Sequence, residues 1–186
     1  MEEIRNSCNR RKVKALYHFT NAENLRSIFE ENGLFARTSF DENNISDVIF
    51  GDTRRMDNYL DRISVSISHP NIDVMWAQRK HVRGDHVVIR LAPEILWELD
   101  CLFFCHNAAS ENIKAVNFDV LFRTPKCKYP MSNQAEVMVK DHIPLEYFKK
   151  QIVVYSSEIR ERLNERLGIR EFEFLFQVDK HLFIKR

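Results

Sequence analysis

The feature that most limits the fold is a series of short strand-like segments that do not alternate regularly with helices. The segment 62–68, RISVSIS, alternates strictly and places Ile63, Val65 and Ile67 on one face and serines on the other. Other strand-like runs lie at 13–19, 86–91, 101–105, 134–140, 151–156, 171–178 and 181–185. Because strands outnumber helices, the pattern predicts an α+β domain whose mixed, twisted sheet is flanked by short helices.

Helices are predicted where turn residues precede apolar residues at helical spacing. The segment 20–23, TNAE, has the pattern of a capping box, and Gly33 stands where a left-handed residue would end the helix that follows. Ser157 is placed to cap a helix over 158–167, with Gly168 behind it. Shorter helices are predicted within 73–80, 92–99 and 143–150, and long connections over 38–60 and 106–132.

Size and composition predict one globular domain over residues 1–186, since 44% of the residues are apolar and no low-complexity run is present. No apolar run approaches the roughly 20 residues of a membrane helix, so neither a spanning segment nor a signal peptide is expected. A cytoplasmic location is therefore the expectation. The four cysteines lack paired metal-ligand spacing and are interpreted as free thiols.

The formal net charge of +1 excludes a protein held on nucleic acid mainly by bulk electrostatics. Any contact with nucleic acid must then be local. The sequence also lacks a glycine-rich phosphate loop, a G-x-S-x-G elbow and an H-E-x-x-H pair, so the common motif-bearing enzyme classes receive no support.

Individually, the candidate site residues have ordinary structural explanations. Alternation within 134–140 makes Glu136 a solvent-facing residue of a half-buried strand. A histidine inside an apolar strand, such as His18, is more often a hydrogen-bonded core residue than a ligand. Ser64 and Ser66 are typical of the wet side of an antiparallel sheet.

The order of these residues along the chain is more informative. A histidine at the end of the first strand, a Ser-x-Ser strand and a late Gln-x-Glu strand resemble the layout of ADP-ribosyltransferases. The resemblance implies that His18 holds the adenine-side ribose of NAD and that Ser64 and Ser66 line the nicotinamide site. It implies that Glu136 bonds the nicotinamide ribose, where a carboxylate stabilises the positive charge that develops as the N-glycosidic bond breaks.

Three longer segments narrow the resemblance. They are LYHFTNAENLRSIFEENGL, TRRMDNYLDRISVSISHPNIDVM and NQAEVMVKDHIPLEYFKKQIVVYS, and they resemble the DarT family of nucleic-acid ADP-ribosyltransferase toxins over about residues 13–156. The resemblance implies that NAD is consumed as a co-substrate, that no metal is needed, and that His18, Thr20 and Asn24 bind NAD.

The same resemblance implies two catalytic residues. Glu136 corresponds to the catalytic carboxylate, and Arg55 corresponds to the active-site arginine, with Arg54 as the alternative within the arginine pair. Thymidine-modifying members have an aromatic-rich middle strand and a second histidine, where this chain has SVS at 64–66 and Asn21. The target base therefore stays open between thymine and guanine.

The loop before Glu136, LFRTPKCKYPMSN, interleaves cations with aromatic rings. Arg123, Lys126 and Lys128 could bind phosphates, while Phe122 and Tyr129 offer rings on which unpaired bases stack. An ordinary exposed loop is the alternative. In the family that the chain resembles, the equivalent loop recognises the target. A base within a duplex would first have to be unstacked, so single strands are the expected substrate.

These observations predict an NAD-dependent mono-ADP-ribosyltransferase that modifies a base of single-stranded DNA, as a toxin or phage-defence effector. The resemblance implies a separate macrodomain antitoxin as a partner. The alternatives are a transferase that acts on RNA or protein, and a catalytically inactive module that binds nucleic acid or nucleotides.

Overall fold

The computed structural model describes residues 1–40, 48–50, 59–109 and 113–185. Its helices are α1 (Glu2–Arg11), α2 (Asn24–Glu30), α3 (Ile72–Arg79), α4 (Ile95–Glu98) and α5 (Ser157–Leu167). Its strands are β1 (Leu16–Asn21), β2 (Gly33–Phe35), β3 (Arg62–Ile67), β4 (His86–Leu91), β5 (Cys101–Phe104), β6 (Glu136–Lys140), β7 (His142–Pro144), β8 (Phe148–Val154) and β9 (Leu175–Val178). Within these ranges, no helix has the length and apolar character required to cross a membrane.

Seven strands form one central sheet in the order β5-β6-β3-β1-β4-β8-β9, and β2 pairs with β7 separately. All neighbours in the central sheet are antiparallel except β8 and β9, which are parallel. The predicted mixed sheet with short helices is thereby confirmed.

Alternation along β3 and β6 decides which side chains enter the main core. Ile63, Val65 and Ile67 are buried in that core together with Val137 and Val139 of the neighbouring strand. The opposite face was expected to be open and polar. A second cluster, formed by Phe104, Ala108 and Met138, covers part of it, and Ser66 on this face is also buried. The expectation of an open serine face is therefore wrong.

Strands β1 and β3 separate after a short shared ladder. They pair only at Leu16 with Ile67 and at Tyr17 with Ser66, whereas β1 pairs with β4 along its whole length. Residues 62–65 of β3 pair with β6 on the other edge of the strand, but they have no partner in the β1 ladder. The two central strands consequently leave an opening between them, inside the sheet.

Two predicted helix signals differ from the structure around α2. Thr20 lies in β1, and Glu23 is the N-cap of α2 without a side-chain cap; the Asn21 Oδ1 instead accepts the Glu23 N–H at 3.0 Å. The left-handed residue after the helix is Asn32, at φ 59°, while Gly33 has φ 148° and begins β2. A Cβ on Gly33 would lie 2.3 Å from the Ile143 carbonyl oxygen, so β2 can approach β7 only with glycine here.

Differences also occur near the C-terminus. Ser156, not Ser157, caps α5, with its side chain accepting the Ile159 N–H, and Gly168 ends that helix in the predicted left-handed conformation. The segment 181–185 is not a strand. The Asp179 carboxylate accepts the His181 N–H and starts a 3-10 turn there. Leu182 and Phe183 then pack into a third core cluster with Ile72, Met75, Val88 and Val153.

Candidate active site

The opening between β1 and β3 contains a cavity of about 240 Å³. Strand β1 contributes residues 18–21 to its wall, β3 contributes residues 62–64, and β6 contributes Glu136. Residues from α2, α3 and the segments 33–40 and 48–50 also line it, together with Asn107 and Ala109 after β5. The cavity therefore exists because the two central strands diverge.

Glu136 begins β6 and is buried, with 9% of its surface exposed. Its Oε1 accepts a hydrogen bond from the Ser64 hydroxyl, and its Oε2 accepts the Ala108 N–H at 2.8 Å. The carboxylate is thus held at both oxygens by groups on two different elements. The solvent-facing position that strand alternation alone predicts for Glu136 is wrong, because Ala108 and its neighbours cover this face.

His18 bridges the two diverging strands. Its Nδ1 lies 2.9 Å from the Ser64 carbonyl oxygen, in the part of β1 that no longer shares a ladder with β3. A carbonyl oxygen can only accept, so the Nδ1 carries a hydrogen and donates it to Ser64. His18 therefore fixes the width of the opening at this level of the sheet.

Thr20 and Asn24 line the cavity beside His18. The Asn24 Nδ2 donates to the Thr20 Oγ1 and to the Ile49 carbonyl oxygen, both at 2.9 Å, and the Asn24 Oδ1 accepts the Ile49 N–H at 2.8 Å. This side chain thus pairs with the backbone of residue 49 much as a neighbouring strand would. It holds segment 48–50 against the cavity.

Two arginines in the cavity wall were missed by sequence reasoning. The Arg37 guanidinium lies 4.4 Å from the centre of the Phe50 ring, which also packs against Phe40. The Arg62 Nη2 lies 3.2 Å from the Asp100 Oδ2, and its Nη1 donates to the Met138 carbonyl oxygen. Both arginines stand at element ends, where periodicity does not indicate the direction of the side chain.

The predicted nucleic-acid loop lies beyond Glu136 as seen from the cavity. The Ser68 hydroxyl donates to the Lys128 carbonyl oxygen at 3.3 Å, which places the loop at the end of β3 opposite the cavity. Arg123, Lys126 and Lys128 are exposed, and the Lys128 Nζ lies 5.1 Å from the centre of the Tyr129 ring, which is 37% exposed.

One ring of this loop is unavailable to a base. Phe122 was expected to offer a stacking surface, but it is buried in the main core beneath the Arg11 guanidinium. An apolar ring next to a strand end is drawn into the core by the area it buries. Tyr129 is therefore the aromatic side chain of the pair that remains at the surface.

The structure thus brings most of the predicted binding residues together, although it does not test their roles. His18, Thr20, Asn24, Ser64 and Glu136 all line the cavity. Ser66 does not line it. Arg54 and Arg55 lie outside the described residues. Within the described ranges, no group of three or more His, Cys, Asp or Glu side chains is positioned to hold a metal ion.

Comparison with protein families gives a match over residues 17–184 to the family described as "ssDNA thymidine ADP-ribosyltransferase, DarT". Comparison with curated protein sequences gives no match.

Solved structures of low sequence identity share the fold. Thermus sp. 2.9 DarT in complex with NAD+ superposes with a TM-score of 0.66 at 14% identity, covering 92% of this chain and 98% of that chain. Thermus sp. 2.9 DarT in complex with ADP-ribosylated ssDNA gives 0.67 at 13% identity, covering 93% and 97%. Thermosipho africanus DarTG in complex with ADP-ribose gives 0.63 at 16% identity, covering 91% of this chain and 51% of that chain.

The family match confirms the resemblance and the enzyme class that were predicted from the sequence. NAD, the predicted co-substrate, is the ligand named for the Thermus sp. 2.9 structure. The family description names thymidine, one of the two bases that the sequence left open.

Proposed function

This chain belongs to the DarT family of single-stranded DNA ADP-ribosyltransferases, and from that membership we propose how its own residues perform the reaction. Glu136 is the catalytic carboxylate, and the cavity between β1 and β3 holds NAD. The observation that carries the proposal is that Glu136, fixed at both carboxylate oxygens, lines the same cavity as His18.

The cavity offers matching groups for a dinucleotide. The His18 ring and the Thr20 hydroxyl can hydrogen-bond ribose hydroxyls. Arg37 supplies positive charge for the diphosphate, because guanidinium groups bind phosphate oxygens in a planar fork. The Arg62 guanidinium is paired with Asp100 and contributes to the wall of the cavity. Asn24 contributes by holding segment 48–50 in the wall.

Glu136 acts on the bond that is broken. NAD supplies the ADP-ribose, nicotinamide leaves with the electrons of the N-glycosidic bond, and a nitrogen of the base forms the new bond and loses its proton. The Glu136 carboxylate stabilises the positive charge on the sugar by its own negative charge. Its rigid attachment to Ser64 and Ala108 means that little reorganisation is needed during the reaction.

Single-stranded DNA approaches from the side of the loop before Glu136. Arg123, Lys126 and Lys128 contact phosphates, and Tyr129 stacks on a base beside the target. Because the loop and the cavity lie on opposite sides of Glu136, the target base and NAD can reach this carboxylate together. Arg55, or Arg54, remains the predicted active-site arginine.

The experiment compares the wild type with Glu136→Gln on labelled NAD and separate pools of single-stranded DNA, duplex DNA, RNA and protein. We expect label on single-stranded DNA with the wild type and at least a hundredfold less with the variant. The amide keeps the size of the carboxylate but removes its charge. Mass spectrometry of the modified oligonucleotide then identifies the base.

Other results would support the alternatives. Label on RNA or protein alone would contradict the DNA assignment. Equal nicotinamide release by the wild type and Glu136→Gln would contradict the catalytic role of Glu136, and no release by either would favour an inactive binding module. Unchanged thermal unfolding and unchanged NAD affinity of the variant are the controls for folding.

We further propose that the protein is a toxin that acts on DNA in the cytoplasm and is countered by a separate macrodomain antitoxin. The family membership supports this role. Induced expression in bacteria tests it: the wild type should arrest growth and Glu136→Gln should not. Co-expression of a macrodomain hydrolase should restore growth and remove the label from DNA. A role in phage defence stays a prediction.

A further inference from the structure

Arg11, the last residue of α1, is a buried charged residue far along the surface from the cavity. Only 3% of it is exposed. Its Nη1 donates to the Thr124 carbonyl oxygen at 2.5 Å and to the Cys127 carbonyl oxygen at 3.4 Å. Its Nη2 donates to the Asp119 carboxylate at 2.7 Å. One guanidinium group therefore ties together three positions of the segment 119–128.

The same side chain also covers an aromatic ring. The Arg11 Cζ lies 4.1 Å from the centre of the Phe122 ring, and the Arg11 Nε donates to the Ser7 hydroxyl at 3.1 Å. A buried guanidinium without partners is strongly unfavourable, so this arginine is tolerated only because the loop supplies its acceptors. Helix α1 does not need it for attachment to the core, since Cys8 already packs there. The hydrogen bonds of Arg11 therefore stabilise the conformation of segment 119–128.

The loop and the end of α1 together expose one basic surface. Two hydrogen bonds of Ser68 bring the two segments together: its backbone N–H donates to the Ala15 carbonyl oxygen at 3.2 Å, and its hydroxyl donates to the Lys128 carbonyl oxygen. The exposed basic residues on this surface are Arg10, Lys12, Lys14, Arg123, Lys126 and Lys128. Asp119 lies within it, but Arg11 and Arg10 partly neutralise its charge.

We propose that the end of α1 is part of the single-stranded DNA interface. Arg11 is a positioning residue that holds segment 119–128 in its binding shape, and Lys12 and Lys14 extend the line of phosphate contacts beyond the loop. This inference rests on the proposed function. It goes beyond the family match, since α1 precedes residue 17, where that match begins.

Salt dependence gives a direct measure of the lysine contacts. Each phosphate that a protein neutralises on a single strand contributes about 0.7 to the slope of log affinity against log salt concentration. If Lys12 and Lys14 each contact one phosphate, removing both lowers the magnitude of that slope by about 1.4. A lysine pair elsewhere on the surface should contribute nothing.

The first test compares Lys12→Ala/Lys14→Ala with the control Lys149→Ala/Lys180→Ala, which removes the same charge from exposed positions outside this surface. Affinity for a fluorescent single-stranded oligonucleotide is measured over a salt series, with Glu136→Gln in each protein to prevent turnover. We expect weaker binding and a smaller slope for the first pair only. Identical behaviour of the two pairs would refute the lysine contacts.

The second test uses Arg11→Lys, which keeps the charge but cannot contact all these acceptors at once. We expect the KM for single-stranded DNA to rise at least fivefold, while the NAD affinity measured by calorimetry stays unchanged. A general folding defect would lower both affinities, and an unchanged KM would refute the positioning role. Because the lysine pair is fully exposed, the first test remains decisive if Arg11→Lys does not fold.

These results are separable from failure of the proposed function. If the wild type neither binds nor modifies single-stranded DNA, the proposed function itself is wrong. If the wild type does both and all variants match it, only the role of α1 is refuted. If the lysine substitutions weakened binding of an RNA oligonucleotide but not of single-stranded DNA, the proposed DNA interface would also be refuted.

Discussion

The Ser64 hydroxyl donates a hydrogen bond to the Oε1 of Glu136, across the neighbouring strands β3 and β6. The Ala108 N–H holds the other carboxylate oxygen, so Ser64 controls the remaining freedom of this side chain. The resemblance to ADP-ribosyltransferases had implied that Ser64 lines the nicotinamide site. The contact adds a second role, the orientation of Glu136, the proposed catalytic group.

Ser64→Ala should lower kcat about tenfold while changing the KM for NAD little, because a lost hydrogen bond to a charged group corresponds to about 1.5 kcal/mol. Steady-state kinetics with NAD and an oligonucleotide measure this separation. The control is Ser66→Ala, on the same face of β3 but outside the cavity lining, which should leave kcat unchanged. A raised KM with normal kcat would show that Ser64 binds the ligand instead.

Asn24→Ala should weaken NAD binding and lower the free energy of unfolding. The substitution removes three hydrogen bonds, two of them to the backbone of Ile49, and the expected loss of stability is about 1–3 kcal/mol. Calorimetry with NAD and denaturant unfolding provide the two measurements. Asn9→Ala, at an exposed position of α1, serves as the control. A loss of stability with unaltered NAD affinity would argue that segment 48–50 does not shape the site.

Cys127 should react with iodoacetamide faster at neutral pH than Cys8 or Cys101. The Thr124 hydroxyl, and more weakly the Arg11 and Arg123 charges, lower the pKa of the Cys127 thiol, which raises its thiolate fraction. Burial raises the pKa of Cys8 and of Cys101 to about 12. Peptide mass spectrometry over a pH series follows each site.

Removing the hydroxyl group in Thr124→Val should shift the alkylation midpoint of Cys127 to higher pH. The midpoint would stay in place if the thiol were controlled by its exposure alone.

Stability should fall as the pH is lowered through about 6.5, partly because of His86. Burial, followed by the charge of Arg79, lowers the pKa of His86 below 6.5, and its Nδ1 has no hydrogen-bond partner among the described residues. The unfolded chain then binds the proton more readily than the folded one, so protonation favours unfolding. Denaturant unfolding at pH 7.5 and 5.5 measures the change.

His86→Gln does not titrate in this range, so its stability should depend less on pH than that of the wild type. Equal pH dependence in the two proteins would assign the effect to other groups. Among these, burial also lowers the pKa of His142.

Local patterns predicted several of the elements, and the resemblance predicted the enzyme class. Helix α1 and the short strands β2 and β7 were not predicted, and the helix predicted within 143–150 is a 3-10 turn at Leu145–Tyr147 followed by β8. Strand β4 was predicted with the bounds it has, and the alternation in β3 correctly gave the buried positions Ile63, Val65 and Ile67. Such patterns depend on neighbours in sequence, which the sequence displays directly.

Other features depend on contacts between distant segments. Nothing in the sequence near His18 indicates that β1 leaves β3 after Tyr17. Arg11 lies in a run of three basic residues at 10–12, and only the acceptors at 119–127 allow it to be buried. Arg37 likewise gained its place in the cavity from the fold and not from any local motif.

The opening between β1 and β3 sets the stability of this protein against its activity. A substitution that let Phe19 pair with Ser64 would add ladder hydrogen bonds and close the space that the ligand needs. On the proposed assignment of this cavity to NAD, selection for thermal stability alone would tend to join these strands and inactivate the protein. The proposed reaction therefore requires the central sheet to remain incompletely paired at this position.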